Sequence, residues 1–185
     1  MSVDTANLVQ GPATVYIADF GATEPADTDV ATTPAASAWT DIGGTLGGTT
    51  LTVARQYAVL NVDQIIDEVE RRLTGRTITV ATQMAEPTLD NLKTALNGGV
   101  SASGTGFASY EPTSDTSATQ PTYKAVLFDG FGPGGKRRRV IVRKVLSVGD
   151  IASVDSKTDQ KVFAVSFAGH YVSSTVKPLK VVDET

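Results

Sequence analysis

The sequence has no cysteine and only one histidine among its 185 residues. Without cysteine there is neither a disulfide framework nor a thiolate metal site. A single imidazole leaves almost no side chain that titrates near neutral pH. Aromatic residues make up only 6% of the chain, with one tryptophan. We therefore expect no cofactor and no metal site, and we expect stability to come from burial and from association of subunits.

Long apolar runs are also missing. No run of about 18 apolar residues occurs, so the sequence predicts no membrane-spanning helix and no membrane partner. Residues 1–4, Met-Ser-Val-Asp, lack the positive and apolar regions of a signal peptide, and we expect synthesis in the cytoplasm. The formal net charge of −4 disfavours general affinity for nucleic acid, because phosphate binding needs a positive surface.

Catalytic patterns are absent too. The glycine-rich segments, such as Gly130–Gly135, match neither the GxxxxGK[ST] nor the GxGxxG pattern of phosphate-binding loops. The lone His170 lies in a predicted strand, where a structural or surface role is the usual one. No nucleophile has a partnered base, and most aspartates fall in turns, where they accept hydrogen bonds from nearby backbone N–H groups. The sequence predicts a protein that is not an enzyme.

What the chain has in abundance is glycine, with 17 residues, together with Thr, Ser, Val and Ala, a composition typical of strands and turns. The clearest alternation predicts one buried strand face, formed by Ile78, Val80, Thr82 and Met84. One helix is predicted at Pro87–Asn97, because proline is favoured at a helix start and Asn97-Gly98-Gly99 supplies a left-handed cap.

The remaining elements are predicted as strands and polar connections in a single domain spanning 1–185. Strands are expected at 14–18, 39–42, 51–57 with a hairpin partner at 58–62, and 123–128, 138–148 and 161–171, with a tight turn at 73–75. Polar segments without periodicity are an N-terminal arm (1–12), loops at 21–37 and 101–120, and a C-terminal arm or edge strand (173–185). We therefore expect a mainly β protein, an antiparallel sandwich or barrel with one flanking helix.

The central segment from Val62 to Gly99 carries a family resemblance. Its strand pair, the run Ala85-Glu86-Pro87-Thr88-Leu89 and the following Asn91-Leu92 to Asn97-Gly98 resemble tail tube proteins (major tail proteins) of long-tailed bacteriophages. The first strand, Gly11-Pro12-Ala13-Thr14-Val15-Tyr16-Ile17-Ala18, and Trp39-Thr40-Asp41-Ile42-Gly43 support the resemblance in the same order.

The resemblance implies a β-sandwich-like protomer that assembles into hexameric rings, which stack into a hollow, non-contractile tail tube of the virion. DNA then passes through the lumen without tight binding. Further implied partners are the tape measure, tail terminator and distal tail proteins. Two alternatives stay open: a tube subunit of a contractile particle or secretion system, and a monomeric β-sandwich adhesion or carbohydrate-binding module.

The basic run Lys136-Arg137-Arg138-Arg139, followed by Arg143, is the strongest charge signal. It has three interpretations: phosphate binding, a solvated hairpin tip, or a strip of salt bridges between subunits. In a homo-oligomer the acidic run around residue 67 is available on every neighbour. Candidate subunit-interface residues are therefore Arg137, Arg138, Arg139, Arg143, Asp67, Glu68 and Glu70.

Three segments are predicted to become ordered only against a neighbouring ring. They are the N-terminal segment Ser2–Gln10, the loop Gly21–Ser37 and a hairpin around Gly44–Leu60. Each is too polar or too rich in Gly, Thr or Pro to bury itself in its own subunit. In the hairpin, the candidate ring-stacking residues are Leu51, Val53, Tyr57, Val59 and Leu60.

Overall fold

The computed structural model describes residues 3–113 and 120–185, and strands dominate it. The strands are β1 (Thr14–Asp19), β2 (Thr40–Asp41), β3 (Thr45–Leu60), β4 (Glu70–Met84), β5 (Val100–Gly104), β6 (Phe107–Glu111), β7 (Lys124–Phe131), β8 (Arg137–Ser147), β9 (Phe163–Gly169) and β10 (Leu179–Asp183). The α-helix of the described residues is α1 (Leu89–Ala95). The prediction of a mainly β protein with one helix is confirmed.

One antiparallel sheet carries most of the strands, in the order β2-β1-β7-β8-β9-β4-β3, and β10 also pairs with β8. The pair β5–β6 forms a separate two-stranded sheet. In β8, residues 138–142 pair with β10, whereas residues 145–147 pair with β9. The sheet therefore branches at β8, and β3 and β4 lie at one of its ends.

The hydrophobic core lies inside a curled sheet. Val15 of β1 packs in the same cluster as Val80 of β4 and Phe167 of β9, although three strands separate β1 from β4 in the sheet order. Such contacts require the sheet to fold over onto itself, as expected for a sandwich-like fold. On the opposite face of β1, β7 and β8, a second cluster packs Leu127 and Ile141 around Trp39.

Most of the predicted strand faces are confirmed. The side chains of Ile78, Val80, Thr82 and Met84 are all buried, as their alternation predicts. Phe163, Val165 and Phe167 in β9 are buried as well. The C-terminal segment contains an edge strand, β10, as one of its two interpretations required.

The prediction of a turn at 73–75 is wrong, and so is that of a strand break at 57–58. Strand β3 runs unbroken to Leu60 and pairs with β4 from Glu70 to Met84. Thr74 is one extra residue in the ladder, where the register shifts between Gln56 and Tyr57. Thr74-Gly75 therefore forms a bulge within the ladder rather than a chain reversal.

Two other boundaries also differ from the predictions. The loop predicted at 101–120 begins instead with the hairpin β5–β6, and residues 114–119 lie outside the described residues. Helix α1 is shorter than Pro87–Asn97: the Thr88 hydroxyl accepts a hydrogen bond from Asn91 N at 3.2 Å, which caps the helix start. At the other end Asn97 has φ 59°, and its side-chain amide bonds the backbone of Ser147.

Arg139 holds the 21–37 loop on the sheet. Its side chain is 2% exposed, and its Nε and Nη2 atoms each lie 2.7 Å from a carboxylate oxygen of Asp129. Nη1 and Nη2 also donate to the loop carbonyls of Asp29, at 3.2 Å, and Thr32, at 2.7 Å. The expectation that this loop needs a neighbouring ring for its order is therefore wrong, since its own subunit supplies the contacts.

Further contacts attach the same loop. The indole Nε1 of Trp39 donates to Thr23 O at 2.9 Å. Arg143 forms a bidentate pair with Glu24, and Lys180 of β10 lies near the Glu24 and Asp27 carboxylates. The loop is thus fastened to the core, to β8 and to the C-terminal strand.

Truncating a core side chain tests the packing. Leu127 is fully buried, and we expect Leu127→Ala to lower the free energy of unfolding by about 2–5 kcal/mol, because it leaves a cavity. Leu60→Ala is the matched control: Leu60 is 46% exposed, so its truncation should change stability by less than about 0.5 kcal/mol. Denaturant unfolding measures both, and similar losses would contradict the described core.

Breaking the buried ion pair tests the loop anchor. We expect Arg139→Met to cost about 3–5 kcal/mol of unfolding free energy, because it leaves the Asp129 carboxylate without its partner in a dry site. The double variant Arg139→Met with Asp129→Ala should lose less than the sum of the two single variants. Arg138→Met, which removes an exposed pair with Asp183, should change stability little in the same unfolding experiment. Equal losses of unfolding free energy for Arg138→Met and Arg139→Met would contradict the role of Arg139 in holding the 21–37 loop on the sheet.

Candidate assembly surface

The β3–β4 hairpin extends beyond the rest of the sheet. Strand β9 pairs with β4 over Ile78–Met84, so among the described residues β3 is the only strand neighbour of residues 70–77. We call residues 52–77, which are this ribbon and its connecting loop, the arm. At a rise of about 3.3 Å per residue, the nine residues 52–60 of β3 span roughly 30 Å.

Both faces of the arm are open to solvent. Every residue of β3 from Thr52 to Leu60 is exposed, and in β4 every residue from Glu70 to Thr77 is exposed except Gly75. A two-stranded ribbon without a packed face is marginally stable in water. Within the part of its own subunit that the structure describes, the arm therefore lacks the burial that would stabilise it.

One face of the arm continues the core face of the hairpin. Residues paired across a ladder share a face, and the pairs from the body outward are Leu51↔Val80, Val53↔Ile78, Arg55↔Arg76, Tyr57↔Leu73 and Val59↔Arg71. Leu51 and Val80 belong to the core, whereas Tyr57 and Leu73 are 46% and 52% exposed. We call the side formed by Val53, Arg55, Tyr57, Val59, Arg71, Leu73 and Arg76 the core-side face.

Two unpaired arginines oppose each other on the core-side face. Arg55 lies directly across the ladder from Arg76, an arrangement that is destabilising because like charges face each other. Within the described residues neither side chain makes a hydrogen bond or an ion pair, whereas Arg71 forms a bidentate pair with Glu68. This pair of cations on an apolar strip would gain from carboxylates supplied by another molecule.

The connecting loop of the arm, residues 61–69, is apolar and acidic. Its large apolar side chains are all exposed, and Ile66 is fully exposed; they are Val62, Ile65, Ile66 and Val69. The acidic run around residue 67 lies here, next to these side chains. An exposed apolar patch of this kind marks an interaction site in a soluble protein.

The arginines predicted at subunit contacts have partners in their own chain. Arg138 pairs with Asp183 at 2.6 Å, and its hydrogen bonds lower the pKa of the Asp183 carboxyl. Arg139 is buried against Asp129, and Arg143 binds Glu24. Arg137 stacks over the Phe131 ring, 5.0 Å from its centroid, and its backbone N–H donates to Glu184.

Because these arginines have contacts within their own chain, they do not need Asp67, Glu68 or Glu70 of a neighbouring subunit as partners. Glu68 is already paired with Arg71. Asp67 and Glu70 remain exposed on the arm, where a neighbouring subunit could reach them. Their role at a subunit interface stays a prediction.

The predicted stacking residues divide between two faces of the arm and the core. Val53, Tyr57 and Val59 lie on the core-side face, Leu51 is packed against the core, and Leu60 lies on the opposite face. Sequence reasoning missed Arg55, Arg76 and Leu73, because the predicted turn at 73–75 removed their cross-strand partners. The signal that could have found them is the alternation on either side of Gly75.

Neither a metal site nor a membrane span occurs within residues 3–113 and 120–185. No group of three His, Cys, Asp or Glu side chains there is arranged to hold a metal ion. None of the helices found there is long and apolar enough to cross a membrane. The ring of His170 packs edge-on against Tyr123, with 5.2 Å between centroids, which is a structural contact.

Comparison with known proteins gives one family. The model of the family described as "Phage tail tube protein" matches residues 1–167, and no curated protein matches. A solved chain from "Cryo-EM structure of the anti-feeding prophage (AFP) baseplate, 6-fold symmetrised" is similar at a TM-score of 0.46 and 9% identity, over 98% of this chain and 97% of that one. Because the family match covers most of the sequence, including β1–β4, α1 and the arm, this chain belongs to the phage tail tube protein family.

Proposed function

We propose that this protein is the repeating subunit of a phage tail tube, in which rings of six copies stack into a channel for DNA. The observation that carries the proposal, beyond family membership, is the arm: a ribbon whose large apolar side chains the described part of its own subunit leaves exposed. Exposed apolar area of this extent in a soluble chain is best accounted for by burial in an assembly.

The direction of the arm favours a contact that repeats. The arm projects from one end of the β3–β4 hairpin, and we propose that a different surface on another copy receives it. Such a heterologous contact leaves one arm free at one end of every oligomer and one receiving surface free at the other. Repetition along an axis then produces a polymer rather than a closed dimer.

The edge of the sheet supplies a second kind of contact. Within the described residues, β3 pairs on one side only, with β4, which leaves backbone N–H and C=O groups along a 16-residue strand. A long unprotected edge in a soluble protein is normally paired or covered. We propose that it pairs with a strand of the adjacent copy within the ring.

The charge distribution suits a channel that DNA slides through. The arm contains four arginines and four carboxylates, so it has no net charge, and the remainder of the chain carries the net charge of −4. A negative wall repels phosphate groups, whereas a positive wall would hold DNA and make its release depend on salt. We infer that the lumen is formed by the acidic body.

The remaining roles follow from a place in the tail. The subunit is made in the bacterial host and becomes part of a long, non-contractile tail. It contacts the tape measure protein inside the tube, and the tail terminator and distal tail proteins at the tube ends. It binds DNA weakly and catalyses no reaction.

Polar substitutions on the arm test the proposal. Tyr57 and Leu73 face each other on the core-side face, and we expect Tyr57→Ser with Leu73→Ser to abolish tube formation while leaving thermal unfolding of the subunit nearly unchanged. Both side chains are about half exposed in the subunit, so the core loses little. Negative-stain micrographs of purified protein measure the tubes, and wild-type protein is the reference.

The matched control uses the opposite face of the same ribbon. Ala54 and Ala58 are exposed there, and Ala54→Ser with Ala58→Ser should preserve tubes. Tubes formed by the Tyr57/Leu73 variant as readily as by wild type would contradict the assignment of the arm. Wild-type protein that stays monomeric at high concentration with the tail partners present would contradict the proposed function itself.

A further inference from the structure

A surface at the other end of the hairpin is complementary to the arm. Gly44 N donates to a carboxylate oxygen of Glu86 at 2.8 Å, and Ala85 N donates to Gly44 O at 2.8 Å. Glu86 and α1 therefore lie where β3 begins and β4 ends. The 16 residues of β3 separate this place from the far end of the arm by roughly 50 Å.

This surface combines exposed leucines with carboxylates. Leu89 and Leu96 are 38% and 42% exposed, at two ends of α1. Glu86 and Asp90 are exposed at the start of the helix, and the Asp90 carboxylate makes no hydrogen bond or ion pair within the described residues. We call Glu86, Leu89, Asp90 and Leu96 the helix patch.

The arm and the helix patch match in chemistry. The arm offers Tyr57 and Leu73 beside Arg55 and Arg76, which have no hydrogen-bond or ion-pair partner within the described residues. The patch offers Leu89 beside Glu86 and Asp90 at the start of α1, with Leu96 at its other end. A guanidinium–carboxylate hydrogen bond is charge-assisted, and it is electrostatically stronger where apolar neighbours lower the local dielectric. Lys93 lies between Leu89 and Leu96 on the helix, so the carboxylates at the start of α1 are where the arginines fit.

We propose that the core-side face of the arm docks on the helix patch of a second copy, with Arg55 and Arg76 donating to the carboxylates of Glu86 and Asp90. This inference rests on the proposed function and names the receiving surface for the arm. The two surfaces lie at opposite ends of one ladder, so they meet between copies and not within one. The contact is head to tail and sets the axial repeat of the tube.

Charge reversal in two halves tests the pairing. The arm variant is Arg55→Glu with Arg76→Glu, and the patch variant is Glu86→Arg with Asp90→Arg. Each alone should reduce tube formation by at least about tenfold, measured by light scattering and micrographs, because like charges then meet at each contact. An equimolar mixture of the two variants should regain tubes, since each arm then finds an opposite patch, and so should the fourfold variant.

Arg72 provides the matched control for net charge. It lies on the opposite face of the same strand, paired with Ala58, and the single substitution Arg72→Glu changes charge as much as Arg76→Glu does. We expect Arg72→Glu to assemble like wild type, whereas Arg76→Glu assembles poorly. Equal loss in both would show a general charge effect and overturn the proposal.

Three further results decide the matter. Should the patch variant fail to fold because Glu86 bonds Gly44, Asp90→Arg alone takes its place, and mixing it with the arm variant must still restore tubes. If wild-type protein forms tubes but the mixture of the two variants does not, the arm docks elsewhere. That result would overturn the pairing and leave the proposed function standing. Normal tubes from the arm variant with altered DNA release would place the arginines against DNA and overturn the pairing.

Discussion

The β3–β4 ladder is the interaction on which the rest of the structure depends. Its inner part, from Ile78 to Met84, is paired on both sides and supplies buried side chains to the core. Its outer part keeps the alternation but shifts register by one residue at Thr74, and within the described residues it has no third strand and no covering layer. One continuous hydrogen-bonded element therefore connects the buried core to the exposed arm, and the assembly contacts that we propose for the arm would be positioned directly by the core.

Charge is used differently in these two parts. In the body, three arginines of β8 have partners within their own chain. Arg139 binds Asp129 and two loop carbonyls, Arg143 binds Glu24, and Arg138 binds Asp183. These contacts fasten the 21–37 loop and the C-terminal strand to the sheet. In the arm, Arg55 and Arg76 face each other, and within residues 3–113 and 120–185 neither side chain has a hydrogen-bond or ion-pair partner. Unsatisfied cations on an apolar strip are costly in an isolated subunit and useful where a carboxylate arrives from a neighbour.

The strands of the body could be predicted from the sequence, because burial of one strand face makes apolar residues recur at every second position. The faces of Ile78–Met84 and Phe163–Phe167 alternate strictly, and the helix at 89–95 lies within its predicted range. The arm is harder to read, because Thr74-Gly75 suits a bulge as well as a turn and so interrupts the alternation that runs on either side of Gly75. The partners of Arg138, Arg139 and Arg143 lie 45, 10 and 119 residues away along the chain, and no local pattern identifies such pairs.

The central claim is that the arm gains its order from another copy of the chain. Hydrogen exchange, followed on unassembled subunits and on tubes, measures this directly, because amide protection reports local opening. We expect residues 52–60 and 70–77 to exchange much faster than 163–169 in the unassembled subunit and to become protected in tubes. The 21–37 loop, held by Arg139, should change far less. Arm amides already as protected as those of β9 before assembly, or unchanged by it, would contradict the account.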